Sequence, residues 1–86
     1  MTIKVLVVDD DEVCNYATVK ALKRANFNAV SVKDPKAGLQ LLEAGPFDLV
    51  LLDINMPDLD GFQVCEALRR LPLHKKTPVL FVTING

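Results

Sequence analysis

An 86-residue chain that is 50% hydrophobic, with ten basic against eleven acidic side chains, has the make-up of one small globular domain over residues 1–86. A formal net charge of −1 excludes the highly charged, apolar-poor composition of a disordered tail. It also gives no electrostatic basis for a nucleic-acid or membrane-surface partner.

Ile3 to Val8 is a β-branched, nearly continuous apolar run broken only by Lys4. Such runs suit strands covered on both faces, as in a parallel sheet. Asp9, Asp10, Asp11 and Glu12 follow it directly. Next, Cys14, Ala17, Thr18, Ala21, Leu22 and Ala25 form a stripe at helical spacing, with Lys20, Lys23 and Arg24 opposite. Phe27 to Val32 alternates more and is expected to be a strand nearer an edge. Asp34-Pro35 places a capping side chain before a proline at the first helical position, and Gly45-Pro46 closes that helix behind Leu41 and Leu42. Leu49 to Leu52 is a third apolar run ending in Asp53. A third helix is expected from Asp60-Gly61, with Val64, Leu68 and Leu71 inward and Pro72 as its stop. Val79 to Val82 is the last strand, followed by Thr83.

The order β-α-β-α-β-α-β with short, right-handed connections specifies an α/β fold, a doubly wound parallel sheet with helices on both faces. Three helices leave part of one face bare, so the domain is expected to be incomplete or completed by another chain. Cys14 and Cys65 lie far apart without a ligand or redox spacing and are expected to be small buried residues. His74 is expected to be a solvated loop residue, and Tyr16 and Phe62 to be packing residues. With no leader pattern and no apolar run of about 18 residues, the chain is expected to be cytosolic and not to enter a membrane.

In parallel α/β sheets, ligands bind beyond the carboxyl ends of the strands. If the first and third strands are neighbours, Asp9, Asp10 and Asp53 converge there. Acids after a strand often only cap the next helix, and Asp11 and Glu12 are assigned that role. Three carboxylates in one pocket resist ionising together, and a hard divalent cation, Mg2+ or alternatively Mn2+, removes the conflict. Met56-Pro57-Asp58-Leu59-Asp60-Gly61 reads as a loop with a proline and a glycine setting its backbone.

These residues resemble the receiver domain of two-component response regulators. The resemblance rests on Val7-Val8-Asp9-Asp10, Leu51-Leu52-Asp53-Ile54-Asn55-Met56-Pro57, Asp60-Gly61 and Pro78-Val79-Leu80-Phe81-Val82-Thr83. It implies a flavodoxin-like sheet of order 2-1-3-4, with the fifth strand and last two helices beyond the chain. It implies that Asp53 is the phosphoacceptor, attacking a phosphohistidine on a sensor histidine kinase or phosphotransfer protein. Asp10 and Asp53 would be side-chain ligands to Mg2+, Asp9 would act nearby through water, and Asn55 would offer its backbone carbonyl. Thr83 would hydrogen-bond a phosphoryl oxygen.

Two departures stand out. The resemblance implies a lysine at the end of a fifth strand, which is expected to lie beyond these residues, and Lys75 and Lys76, which precede the fourth strand, are not expected to replace it. Ile84 stands where the family commonly has a small residue, and its bulk would restrict access to Asp53.

Two other readings compete with a phosphoacceptor module that assists its own transfer and is not otherwise an enzyme. One is a receiver-like scaffold that is not phosphorylated and associates, or swaps domains, through an uncovered fourth strand. The other is an aspartate-nucleophile phosphohydrolase. It requires an acid two residues after the nucleophile, where this chain has Asn55, and lid elements that this chain lacks.

Overall fold

A computed structural model describes residues 2–53 and 61–82. Strand β1 spans Lys4–Val8, helix α1 Glu12–Arg24 and strand β2 Asn28–Val32. Helix α2 spans Pro35–Ala44, strand β3 Leu49–Asp53 and helix α3 Gly61–Arg69. A single 3-10 turn, Pro72–His74, leads to strand β4, Val79–Val82. The sheet is parallel, with the order β2-β1-β3-β4 that the resemblance implied.

The local chemistry explains where the elements stop. Asp11 caps α1, its carboxylate accepting from the backbone N–H groups of Val13 and Cys14. The other end of α1 closes in a left-handed turn at Asn26, φ 68°. There Asn26 N–H donates to the Lys23 carbonyl and Phe27 N–H to the Leu22 carbonyl. That pair of bonds satisfies two of the helix's orphan carbonyls. Asp34 caps α2 through the N–H of Lys36, with Pro35 in the first turn and Gly45 at the end, as the sequence predicts.

Val5, Leu6, Val8, Val50 and Leu52 are at most 1% exposed. Leu42 of α2 with Val64 and Leu68 of α3 closes over one sheet face, joined by Phe47. Full burial of each such side chain stabilises by roughly 1.5–3 kcal/mol. Gly38 lets α2 approach, because a Cβ there would lie 3.1 Å from Val8 Cγ2 and 3.4 Å from Val32 Cγ2. Leu71 is partly buried against this core.

Several expectations fail. The inward side of α1 keeps only half of the expected stripe, Cys14, Thr18 and Leu22. Ala17, Ala21 and Ala25 are exposed, while Asn15 is buried and Thr18, Val19 and Leu22 are half-buried. The inward face therefore centres on Asn15, whose amide bonds to backbone carbonyls. Tyr16 and Phe62 are not buried, at 66% and 61% exposed, and pack only along the surface. The Phe62 ring meets Phe81 at 4.8 Å, and Lys20 Nζ lies 5.5 Å from the Tyr16 ring. The β4 run, apolar enough for cover on both faces, leaves Leu80, Phe81 and Val82 exposed among the described residues.

His74 is the clearest correction. It is fully buried rather than solvated. Its Nε2 faces the carbonyls of Leu42 at 2.8 Å and Gly45 at 3.1 Å, and its Nδ1 lies 2.8 Å from Thr77 Oγ1. Carbonyls only accept, so Nε2 donates, and in the neutral ring Nδ1 accepts from the Thr77 hydroxyl. Arg69 Nη1 donates to the carbonyls of His74 and Thr77. The ring and the guanidinium together tie the end of α2, the end of α3 and the approach to β4. Cys14 and Cys65 are half-buried free thiols.

Candidate functional site

The pairing register builds the site. β1 and β3 lie side by side with Val8 opposite Leu52, so Asp9 and Asp53 are the next residues on adjacent strands. Both therefore reach the carboxyl edge of the sheet at one level. Asp10 follows on the exposed side of the turn into α1. One carboxylate oxygen from each of Asp9, Asp10 and Asp53 lies within 4.8 Å of the others. The convergence expected of these three acids is what the structure contains.

Their environments differ. Asp9 is 6% exposed, and its Oδ1 accepts from the Asp11 N–H at 2.9 Å. Burial pushes the Asp9 carboxyl up from its ordinary range, and the negative charges of Asp53 and Asp10 push the same way. The bond from Asp11 opposes them. Asp11 is held below the ordinary range by the N–H groups it caps. Partial burial, and then Asp11, raise the Cys14 thiol from its ordinary range. Asp11 caps as predicted. Glu12 lies in the first turn of α1, where its charge suits the helix dipole, and pairs with Lys33 at 3.2 Å in the open.

A crevice of about 10 Å³, room for about one water, opens between the ends of β1, β3 and β4. Asp9, Asp53, Thr18 and Val82 are among its walls. A larger groove of about 290 Å³ lies between α1 and β2 and includes none of the three acids. Opposite ligand oxygens of a bound Mg2+ stand about 4.2 Å apart. The trio thus fits a hard dication with sub-ångström adjustment or one intervening water. Its donors are all oxygen, which suits Mg2+ better than zinc.

Asn55, Pro57, Thr83 and Ile84 lie outside the described residues. β4 nevertheless pairs Val82 with Asp53, so the strand that Thr83 follows in sequence ends beside the acids.

One residue at the site escaped the sequence reading. Asn15 is 5% exposed, and its Nδ2 donates to the carbonyls of Asp9 and Val32. The signal was present in the spacing: Thr18, Val19 and Leu22 sit three, four and seven residues on from it. A face beginning at a polar residue is discounted when only apolar positions are counted.

Comparison with known proteins agrees with this fold. The family model described as the response regulator receiver domain matches residues 5–86. The signal transduction histidine-protein kinase BarA of Escherichia coli (strain K12) is 38% identical over 89 residues, covering 100% of this chain and 9% of BarA. The uncharacterized transcriptional regulatory protein YrkP of Bacillus subtilis (strain 168) is 37% identical over 86 residues, covering 100% of this chain and 36% of YrkP. The chain thus spans about a tenth to a third of the length of these curated relatives. Among solved structures, the chemotaxis protein CheY4 of Vibrio cholerae superposes with a TM-score of 0.95 at 29% identity, covering 100% of this chain and 72% of that one. A family match that runs from the first strand through the last, on a sheet of the same order, settles the family: the chain belongs to the receiver domains of two-component response regulators.

Proposed function

We propose that this receiver domain is a phosphoacceptor module in which Asp53 takes a phosphoryl group from a phosphohistidine of a histidine kinase or phosphotransfer protein. The observation that carries the reading is the meeting of Asp9, Asp10 and Asp53 at the carboxyl edge of β1 and β3. An Asp53 oxygen attacks phosphorus, forming the O–P bond. The P–N bond breaks, and its electron pair leaves with the imidazole nitrogen. Positioning and charge neutralisation carry most such transfers. When bound, Mg2+ neutralises the carboxylates and the charge that spreads over the phosphoryl oxygens. Asp10 and Asp53 would hold the ion, with Asp9 nearby, and the resemblance adds the Asn55 carbonyl. The resemblance also gives Thr83 the bond to a phosphoryl oxygen. The module accepts and assists one transfer and is not otherwise an enzyme. A cytosolic setting belongs to the same reading; among the described residues no helix is long and apolar enough to cross a membrane.

Intact mass after incubation with Mg2+ and acetyl phosphate tests this. A single phosphoryl adduct, missing from Asp53→Asn, is expected. Folded protein without an adduct overturns the reading.

A second reading, a scaffold acting by self-association, is favoured by the exposure of Leu80, Phe81 and Val82 along β4. Sedimentation velocity decides it. A concentration-dependent dimer that Leu80→Lys dissolves supports it, and a monomer at all concentrations removes it.

A further inference from the structure

Asn15 is the buried residue of a helix whose other inward positions are only half-covered. It donates two hydrogen bonds, and both acceptors are backbone carbonyls at strand ends, Asp9 after β1 and Val32 at the end of β2. The Val32 carbonyl also accepts the Asp9 N–H at 3.1 Å. Asp9 is therefore held at three atoms: its N–H by Val32, its carbonyl by Asn15 and its carboxylate by the N–H of Asp11. Holding a carbonyl fixes its whole peptide plane, since rotation about the C–N bond is barred. The plane in question joins Asp9 to Asp10. Its orientation sets the direction in which the Asp10 Cα, and so its exposed carboxylate, leaves the strand.

The same amide is a poor choice for stability alone. Asn15 Oδ1 is buried, and among the described residues no hydrogen-bond donor reaches it. Turning the amide over does not help, because Oδ1 would then face two carbonyl oxygens. A buried acceptor without a partner is costly, whereas an apolar side chain of similar size carries no such penalty. The donor end is the part that the fold uses.

We infer that Asn15 is a positioning residue for the acid trio: it sets the Asp9–Asp10 peptide so that both carboxylates converge on Asp53. This rests on the phosphoacceptor reading, and specifically on Mg2+ binding by the trio. Groups that orient metal ligands from behind typically change metal affinity by about 10–100-fold when removed.

The test is Mg2+ titration calorimetry on the 86-residue chain, with melting in EDTA beside it. Asn15→Leu keeps the volume and removes the donor. It is expected to bind Mg2+ at least about tenfold more weakly while melting close to the wild-type temperature, because the penalty at Oδ1 disappears as the Asp9 carbonyl loses its donor. Asn15→Ala is expected to lose the same affinity. Val19→Ala, one turn on along the same face of α1, should lower the melting temperature and leave Mg2+ affinity unchanged.

Equal affinity in wild type and both Asn15 variants overturns the inference and leaves the phosphoacceptor reading intact. Loss of affinity in Val19→Ala to the same degree also overturns it, since general loosening would then suffice. If both Asn15 variants are unfolded without metal, the amide is a folding element and the inference falls. A wild type that takes up no Mg2+ removes the metal-binding reading, and the inference with it.

Discussion

At the scale of single residues, burial and neighbouring charge give one carboxylate of the trio a pH signature. Asp9 is harder to ionise in the folded chain than in the unfolded one, first because it is buried and then because Asp53 and Asp10 are near. The native state then holds more protons, so its contribution to stability falls as pH rises above the ordinary value of 3.8 toward the raised one. Asp11 runs the other way. Its depressed value gives stability that is present above 3.8 and lost as pH falls through the lower folded value. In EDTA, the melting temperature of Asp9→Asn relative to wild type is expected to rise across the window just above 3.8. A pH series of thermal melts reads this directly; parallel curves would remove the assignment.

His74 supplies a second residue-scale prediction. Its ring occupies two carbonyls and a hydroxyl in a fully buried position. His74→Leu fills the space but leaves those groups without it, and each buried group left unpaired costs about 1–3 kcal/mol. Urea unfolding is expected to register a loss of about 3 kcal/mol. A loss below about 1 kcal/mol would mean that water takes over the bonds.

At the scale of elements, the caps are local devices and the helix faces are not. Asn26 ends α1 in the left-handed region, where a β-branched residue is strained. Asn26→Val is expected to cost about 1–2 kcal/mol, and Asn26→Gly to be neutral or slightly stabilising, since glycine is the residue most used at this position. Chemical denaturation of the pair checks both signs. The caps at Asp34 and Gly45 were legible because each depends on residues a few positions apart. The face of α1 was not. Counting apolar positions put the alanines inward beside Cys14, Thr18 and Leu22, whereas the structure has Asn15 there, its amide reaching carbonyls at the ends of two strands.

At the scale of the whole molecule, the sheet is the instrument that assembles the site. Asp9 and Asp53 are 44 positions apart in the chain, a separation read from their numbers. They meet because β1 and β3 pair in parallel with Val8 opposite Leu52. Mg2+ that binds this arrangement and not the unfolded chain stabilises the fold by mass action. At about 100 times its dissociation constant the gain is about 2.7 kcal/mol. For a domain of this size that corresponds to a rise of order 10 °C in melting temperature. Calorimetry is expected to find this in wild type and not in Asp10→Ala. Equal rises in both would take Asp10 out of the metal site.

By itself the amino-acid order determined the alternation of strands and helices, the caps at Asp11 and Asp34, and the candidacy of Asp9, Asp10 and Asp53. Each of those is written in short-range patterns: apolar runs, capping side chains, and acids placed where a strand must end. Only the tertiary structure decided that Asn15 turns inward, that His74 is buried, and that Tyr16 and Phe62 face solvent. A polar side chain is buried when a backbone partner from another segment is there to receive it, and a count of apolar positions does not register that partner. The aromatic rings fail in the opposite sense. They stay exposed because each meets a single surface neighbour, Phe81 or Lys20, and hydrophobicity alone does not supply the rest of a core.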